Sequence, residues 1–178
     1  MSRAFPPWLV LAAALCGQVK SPFEPVPGAA VDRLVFQAML PDFAGRDLLD
    51  RTWRLENLRG KLTVVDIWAV NCGPCRRVHP ELQRFHERAS RFQDVQVLSL
   101  SVDEDRELVI DYMAGRRYTF PVIVSEQLVE RLFPSQLLPN GGIPQVWVVD
   151  DEGRRSAPFK AWNLNRVLIE VERVRGRR

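Results

Sequence analysis

Two cysteines separated by Gly-Pro, Cys72 and Cys75 in the stretch VVDIWAVNCGPCRR, are the residues of this 178-residue chain best suited to do chemistry. Such a pair has two uses. It can cycle between dithiol and disulfide, one thiolate attacking and the other resolving the mixed disulfide that results. Alternatively it can supply half of a zinc site, which wants four ligands, usually completed by a second cysteine pair or a histidine pair. The chain offers little toward the second use. Its third cysteine, Cys16, lies far upstream, and its two histidines, His79 and His86, both follow Cys75 on one helical stretch. Thiol chemistry is favoured, and it requires neither a metal nor an organic cofactor. The histidines read as partly exposed helix residues rather than bases.

Asp66 lies six residues before Cys72, inside the apolar run. A carboxylate in a buried strand costs several kcal/mol if it stays ionised and unpaired, and burial by itself favours the neutral acid. Two readings follow. The side chain reaches a polar cavity or water for no catalytic purpose, or it handles protons for the cysteines, since perturbed carboxyls concentrate at active sites. The second is the expectation.

The elements that must position these groups can be read outward from the pair. Leu62 to Val70 is nearly all apolar, as in a central strand buried on both faces. Cys72 follows it directly and opens a helix, where free N–H groups and the positive end of the dipole favour a thiolate. A CxxC cysteine in that place can fall from a pKa of about 8.5 to near 7 or below. Pro74 suits the first turn, where its missing N–H costs nothing. Val78, Leu82, Phe85, Ala89 and Phe92 give the helix one buried face, and Pro80 inside it should kink it.

Upstream, PDFAGRDLLDRTWRLENLRGK breaks into short strand-like pieces with a turn near Asp50 and Arg51, closed by Gly60. Downstream come a strand VQVLSLSV and a helix RELVIDYMAG capped by Asp103 or Asp105. A strand TFPVIV, a short helix SEQLVERLF, a loop PSQLLPNGGIP and a strand QVWVVD follow. DDEG then turns a hairpin, and an amphipathic helix closes the chain. Strands alternating with helices predict an α/β fold whose sheet, with its terminal hairpin, is mixed and carries helices on both faces.

Composition sets the outer bounds. Hydrophobic residues are 46% and charged residues 26% of the chain, enough for one real core. The net charge is +3, with basic residues scattered except in the tail ERVRGRR, so nucleic-acid binding is not expected. Residues 1–17 combine Arg3 with a nine-residue apolar stretch, Trp8 to Cys16, too short to span a bilayer but matching a secretory signal or an N-terminal anchor. Cys16 is a poor lipidation site, because Leu15 stands where a small residue is wanted. Residues 18–33, rich in proline and without periodicity, read as a linker, and 34–178 as the globular domain.

The segment resembles the thioredoxin active site: Asp66, Trp68, Ala69, Cys72, Gly73, Pro74, Cys75 and Pro80 all match that pattern. GGIP before a strand resembles the family's cis-proline loop, which puts Pro144 beside the cysteines and makes Ile143–Pro144 a cis bond. The stretch from Cys75 to Pro144 exceeds a minimal thioredoxin by roughly a strand and a helix. That insertion, with the N-terminal PDF and LENLRGK segments, SVDED and FPV, resembles the exported, membrane-tethered disulfide reductases of the TlpA-like group, which includes cytochrome c maturation thioredoxins. The resemblance covers about residues 34–162. Asn71 departs from it, standing where the family usually has Trp.

What the resemblance implies is a thioredoxin fold with extra N-terminal strands and a central β-α insertion. It also implies a reductase of protein disulfides in an exported compartment. Cys72 would be the nucleophile, Cys75 the resolving thiol and Asp66 the proton acceptor. Asn71, Gly73, Pro74, Ile143 and Pro144 would meet the substrate. Partners would be disulfide-bearing client proteins and a membrane thiol donor, and the protein a monomer. Two other readings stand beside it. A redox-inactive binding module or chaperone could keep this fold, and the change at Asn71 leaves that open. A peroxide-reducing enzyme would usually carry Thr three residues before its cysteine, where Ala69 stands. A copper chaperone of this fold would need a histidine in the second half, and none follows His86.

Overall fold

Leu62–Trp68 forms β4, with all seven residues buried, and the rest of the fold is arranged on it. A computed structural model describes residues 34, 36–134, 142–160 and 164–176. The leader and linker expected over residues 1–33 and most of the loop before Gly142 lie outside them. Along the chain come β1 (Phe36–Met39), β2 (Ala44–Arg46), β3 (Thr52–Arg54), β4, and α1 (Gly73–Ala89). They are followed by β5 (Val95–Ser101), α2 (Arg106–Arg116), β6 (Val122–Val124), α3 (Glu126–Leu132), β7 (Gln145–Val149), β8 (Arg154–Ser156), β9 (Phe159–Lys160) and α4 (Leu164–Arg175).

The main sheet has seven strands in the order β1-β8-β7-β4-β5-β6, with β9 also pairing β7. β4, β5 and β6 are parallel, and β7 runs antiparallel to β4, so the sheet is mixed. Side chains alternate across it. On one face Leu62, Val64 and Trp68 pack with apolar residues of α1, α2 and α4. On the other, Val65 and Ile67 pack with Leu128, Val129 and Leu132 of α3 and with Leu55 and Leu58 before β4. The expected thioredoxin architecture is present, including the N-terminal strands and the inserted helix and strand.

Two local expectations change, at His79 and Phe92, and the choice of cap for α2 is narrowed. The buried stripe of α1 is Cys75, His79, Leu82, Phe85 and Ala89, with Val78 partly buried against the same core, so His79 joins the inward face beside it. Phe92 lies beyond the helix and is 42% exposed, with the Arg175 guanidinium 3.5 Å above its ring. Asp105 alone caps α2, accepting from the N–H groups of Glu107 and Leu108, while Asp103 is engaged elsewhere. The helix runs on through Pro80.

The β2–β3 hairpin closes the edge of the sheet at β6, through a bridge from Asp47 to Ile123 and a bond from Leu48 N–H to Val122 C=O (3.0 Å). An exposed edge would otherwise present unpaired backbone groups. Gly45 permits the approach: a Cβ there would meet the Ile123 side chain at 3.0 Å. Asp47, wholly buried, organises the turn. Its Oδ1 accepts from Leu49 N–H and Arg51 N–H (2.9 and 3.0 Å), and its Oδ2 from Arg51 Nε and Trp53 Nε1 (2.7 and 3.0 Å). Burial pushes this carboxyl up. The hydrogen bonds from the Trp53 indole, from Arg51 and from Leu49 outweigh it and hold Asp47 below its ordinary value.

A depressed carboxyl contributes stability above its unfolded value and loses it as pH falls through the folded one. Asp47→Asn should therefore cost about 1–3 kcal/mol at neutral pH. In urea melts its deficit relative to wild type should shrink as pH drops below about 4. A deficit that stays constant into acid would mean the carboxylate charge is not what holds the turn.

Candidate active site

α1 begins where β4 ends. Cys72 is the N-cap, with extended backbone, and its Sγ accepts from Cys75 N–H at 3.2 Å. No acidic residue occupies the first turn, while Arg76 and Arg77 follow directly, so the local field favours negative charge on sulfur. The two cysteines are joined by a disulfide across this turn, with Cα atoms 5.2 Å apart. They differ in access: Cys72 is half-buried and Cys75 has no exposed surface. An incoming sulfur can reach Cys72 and not Cys75.

The segment between strand and helix is held from the side. Asp103, just past β5, accepts from Val70 N–H (2.9 Å) and from the Ser101 hydroxyl (2.7 Å), and Val102 N–H donates to Trp68 C=O (2.9 Å). Cys72 N–H donates back to Ala69 C=O at 3.1 Å. The backbone leading into the cysteines is thereby fixed by a residue the sequence suggested only as a helix cap.

β7 brings the second loop to the same end of the sheet. Gln145 pairs with Ile67, so Pro144 and Ile143 lie beside the end of β4, where Cys72 starts the helix. The Ile143–Pro144 bond is cis, as the loop's resemblance implied. Ile143 is half-buried against the core cluster that also contacts Cys72, and Pro144 is buried. Asn71, Pro74 and Gly142 are exposed around this rim, and Gly73 is half-buried.

Asp66, 1% exposed, points to the α1 face of the sheet. It is not alone there. Its Oδ2 accepts from the Ser99 hydroxyl at 3.4 Å and lies 3.3 Å from His79 Nε2, the latter in ion-pair range but without hydrogen-bond alignment. Its Oδ1 is buried with no partner among the described residues. His79 Nδ1 lies 3.0 Å from the Tyr112 hydroxyl. His79 thus corrects the expectation of a partly exposed histidine: it is wholly buried, one turn past Cys75, between the acid and the phenol. The signal was its place four residues after Cys75 on the inward face. His86 is half-buried, as expected, and burial lowers its pKa. Among the described residues no His, Cys, Asp or Glu cluster of three or more could hold a metal ion.

A thioredoxin fold with a cysteine pair bridged across the first turn of its helix is the class that fold and site define. The chain belongs to the AhpC/TSA family, whose model matches residues 36–154. The chain is 28% identical over 117 residues to the thiol-disulfide oxidoreductase ResA of Geobacillus thermodenitrificans, covering 64% of this chain and 63% of that relative. It therefore spans under two thirds of that relative's length. Among solved structures it shares its fold with the thioredoxin domain of a thiol-disulfide oxidoreductase from Bacteroides vulgatus. The TM-score is 0.63 at 21% identity, over 77% of this chain and 97% of that one. A secreted thiol-disulfide isomerase from Corynebacterium glutamicum is similar to the same degree: TM-score 0.63, 22% identity, 84% and 96% covered.

The asymmetry in access gives a direct test. After reduction, Cys72 should alkylate rapidly and Cys75 slowly, read by peptide mass mapping of the iodoacetamide adducts. Equal labelling, or faster labelling of Cys75, would contradict the buried position of the second sulfur.

Proposed function

We propose that the chain is a thiol–disulfide oxidoreductase that reduces disulfides of client proteins in an exported compartment. The observation that carries this is the bridged pair itself, one sulfur accessible at a helix N-cap and the other buried one turn deeper. In the dithiol form the Cys72 thiolate attacks a client disulfide, forming a mixed disulfide and releasing one client sulfur as thiolate. Cys75 then loses its proton to Asp66 and attacks Cys72 Sγ. The Cys72–Cys75 bond forms, the second client sulfur leaves, and two electrons have passed to the client.

The rim serves recognition. An extended client segment lies along Ile143 and Pro144 as an added strand, its disulfide brought over Cys72, with Asn71, Gly73 and Pro74 lining the approach. Gly-Pro between the cysteines resembles reducing members of the family and supports the direction. Export is supported by the signal-like residues 1–17 and by the Corynebacterium neighbour, which is described as secreted. No helix among the described residues is long and apolar enough to cross a membrane. Outside the cytoplasm the pair would be re-reduced by a membrane thiol donor, and the protein would work as a monomer.

Insulin reduction with dithiothreitol should be catalysed by the wild type and abolished by Cys72→Ser. Absence of activity in the wild type would favour the binding-module reading, and peroxide consumption the peroxidase one. The couple should have a potential nearer to about −270 mV than to about −120 mV. A value at the oxidising end would reverse the direction of flow. Asp66→Asn should slow release of the client roughly 100-fold while leaving mixed-disulfide formation little changed, as expected for loss of a general base. Equal slowing of both phases in stopped-flow would assign Asp66 a structural role instead.

A further inference from the structure

His79 has no task in the exchange described so far, yet its position is an expensive one. A wholly buried imidazole must have its ring nitrogens answered, and an apolar side chain would fill the same space at less cost. Its surroundings are ordered around it. Trp68 meets it edge-on with centroids 4.4 Å apart, and the rings of Phe120 and Tyr118 stand at 5.6 and 5.8 Å. The titratable groups facing it are Asp66 from β4, Tyr112 from α2 and Tyr118 from the segment after α2. Nε2 is 3.3 Å from Asp66 Oδ2, and Nδ1 is 3.0 Å from the Tyr112 oxygen.

The line continues to the surface. Tyr112 is half-buried, with Arg116 5.7 Å from its ring centroid. Burial first, and Tyr118 second, push its hydroxyl up to about 12, against the opposing charges of Arg116 and Arg76. It therefore stays a neutral hydroxyl at working pH, able to accept one proton as it releases another. At the inner end, Asp66 keeps Oδ1 free on the side of the sheet where Cys75 is buried.

Resting on the oxidoreductase reading above, we propose that Asp66, His79 and Tyr112 form a proton relay that connects the buried thiol of Cys75 to solvent. Cys75 gives its proton to Asp66 Oδ1, and the thiolate attacks Cys72 Sγ, breaking the bond to the client sulfur, which leaves with its electron pair. The carboxyl turns over and passes a proton to His79 Nε2. The Nδ1–H is given to the Tyr112 oxygen, and the tyrosine releases its own proton to water. One proton has left the interior, and His79 has changed tautomer. When the pair is reduced again the relay runs inward: water protonates Tyr112, Nδ1 regains its hydrogen, and Cys75 recovers its proton through Asp66. Each half of the cycle resets the other. His79 and Tyr112 act through Asp66 and do not touch the reacting sulfurs.

The test is single-turnover stopped-flow of the reduced, full-length protein with a disulfide-bridged peptide, comparing wild type with His79→Gln and Tyr112→Phe. Gln can still bridge its neighbours but cannot titrate, and Phe removes only a hydroxyl. Release of the client thiol should slow about 10- to 100-fold in His79→Gln, with mixed-disulfide formation unchanged. Tyr112→Phe should slow release in the same phase, and it decides alone if His79→Gln does not fold. Wild-type release rates in both variants would overturn the relay and leave His79 as packing. A wild type that forms no mixed disulfide at all would instead overturn the exchange reading, and the relay with it.

Discussion

A carboxylate at the middle of a strand buried on both faces has to be answered by polar atoms from neighbouring elements, because water is excluded there. Asp66 imposes that demand on everything packed around β4. The parallel register places Ser99 of β5 directly beside it. α1 supplies His79, and α2, two elements further on, supplies the Tyr112 hydroxyl that satisfies the far side of the imidazole. Ser99 of β5, His79 of α1 and, through it, Tyr112 of α2 are therefore gathered around one acid. An apolar set of the same volume would fill this core without making any such demand. On the proposed reading the acid is explained by the chemistry of the neighbouring cysteines.

The same end of β4 carries the second constraint. β4 gives way to α1 within a few residues, so the thiol at the N-cap is positioned by backbone and not by a mobile loop. Asp103 fixes this turn by accepting from Val70 N–H, and its own geometry is set by Ser101 at the end of β5. β7 enters antiparallel to β4, which is why Ile143 and Pro144 arrive at the cysteines although some seventy residues intervene. Sheet topology, rather than proximity in the chain, assembles the site.

What could be read from the sequence was what local physics determines. The apolar run gave away β4, the DDEG turn the hairpin of β7 and β8, and Cys72 followed by Gly-Pro the start of α1. The site's cysteines and its cis-proline loop were legible through resemblance. What was not legible depended on partners distant in the chain. Val78 and His79 lie three and four residues after Cys75, so periodicity allows either to face inward, and hydrophobicity alone selects valine. The acid on β4 and the phenol on α2 select histidine instead. Asp103 and Asp105 are equally good caps on paper. One was withdrawn by Ser101 and Val70, contacts that no single-chain pattern reveals.

These contacts divide the site into two halves with different tolerances. The outer half, Asn71, Pro74 and Gly142, is exposed, so on the proposed reading substitutions there alter which client is met without disturbing the core, whereas Ile143 also packs against both core clusters. Asn71 in place of the family's usual Trp is such a change: it removes apolar surface from the rim and adds hydrogen-bonding capacity. The inner half, Cys75, Asp66 and His79, is wholly or almost wholly buried, with Asp66 and His79 facing each other at 3.3 Å. On the proposed reading, partner choice belongs to the outer half and proton handling to the inner. The disulfide between Cys72 and Cys75 ties the accessible sulfur to the buried one.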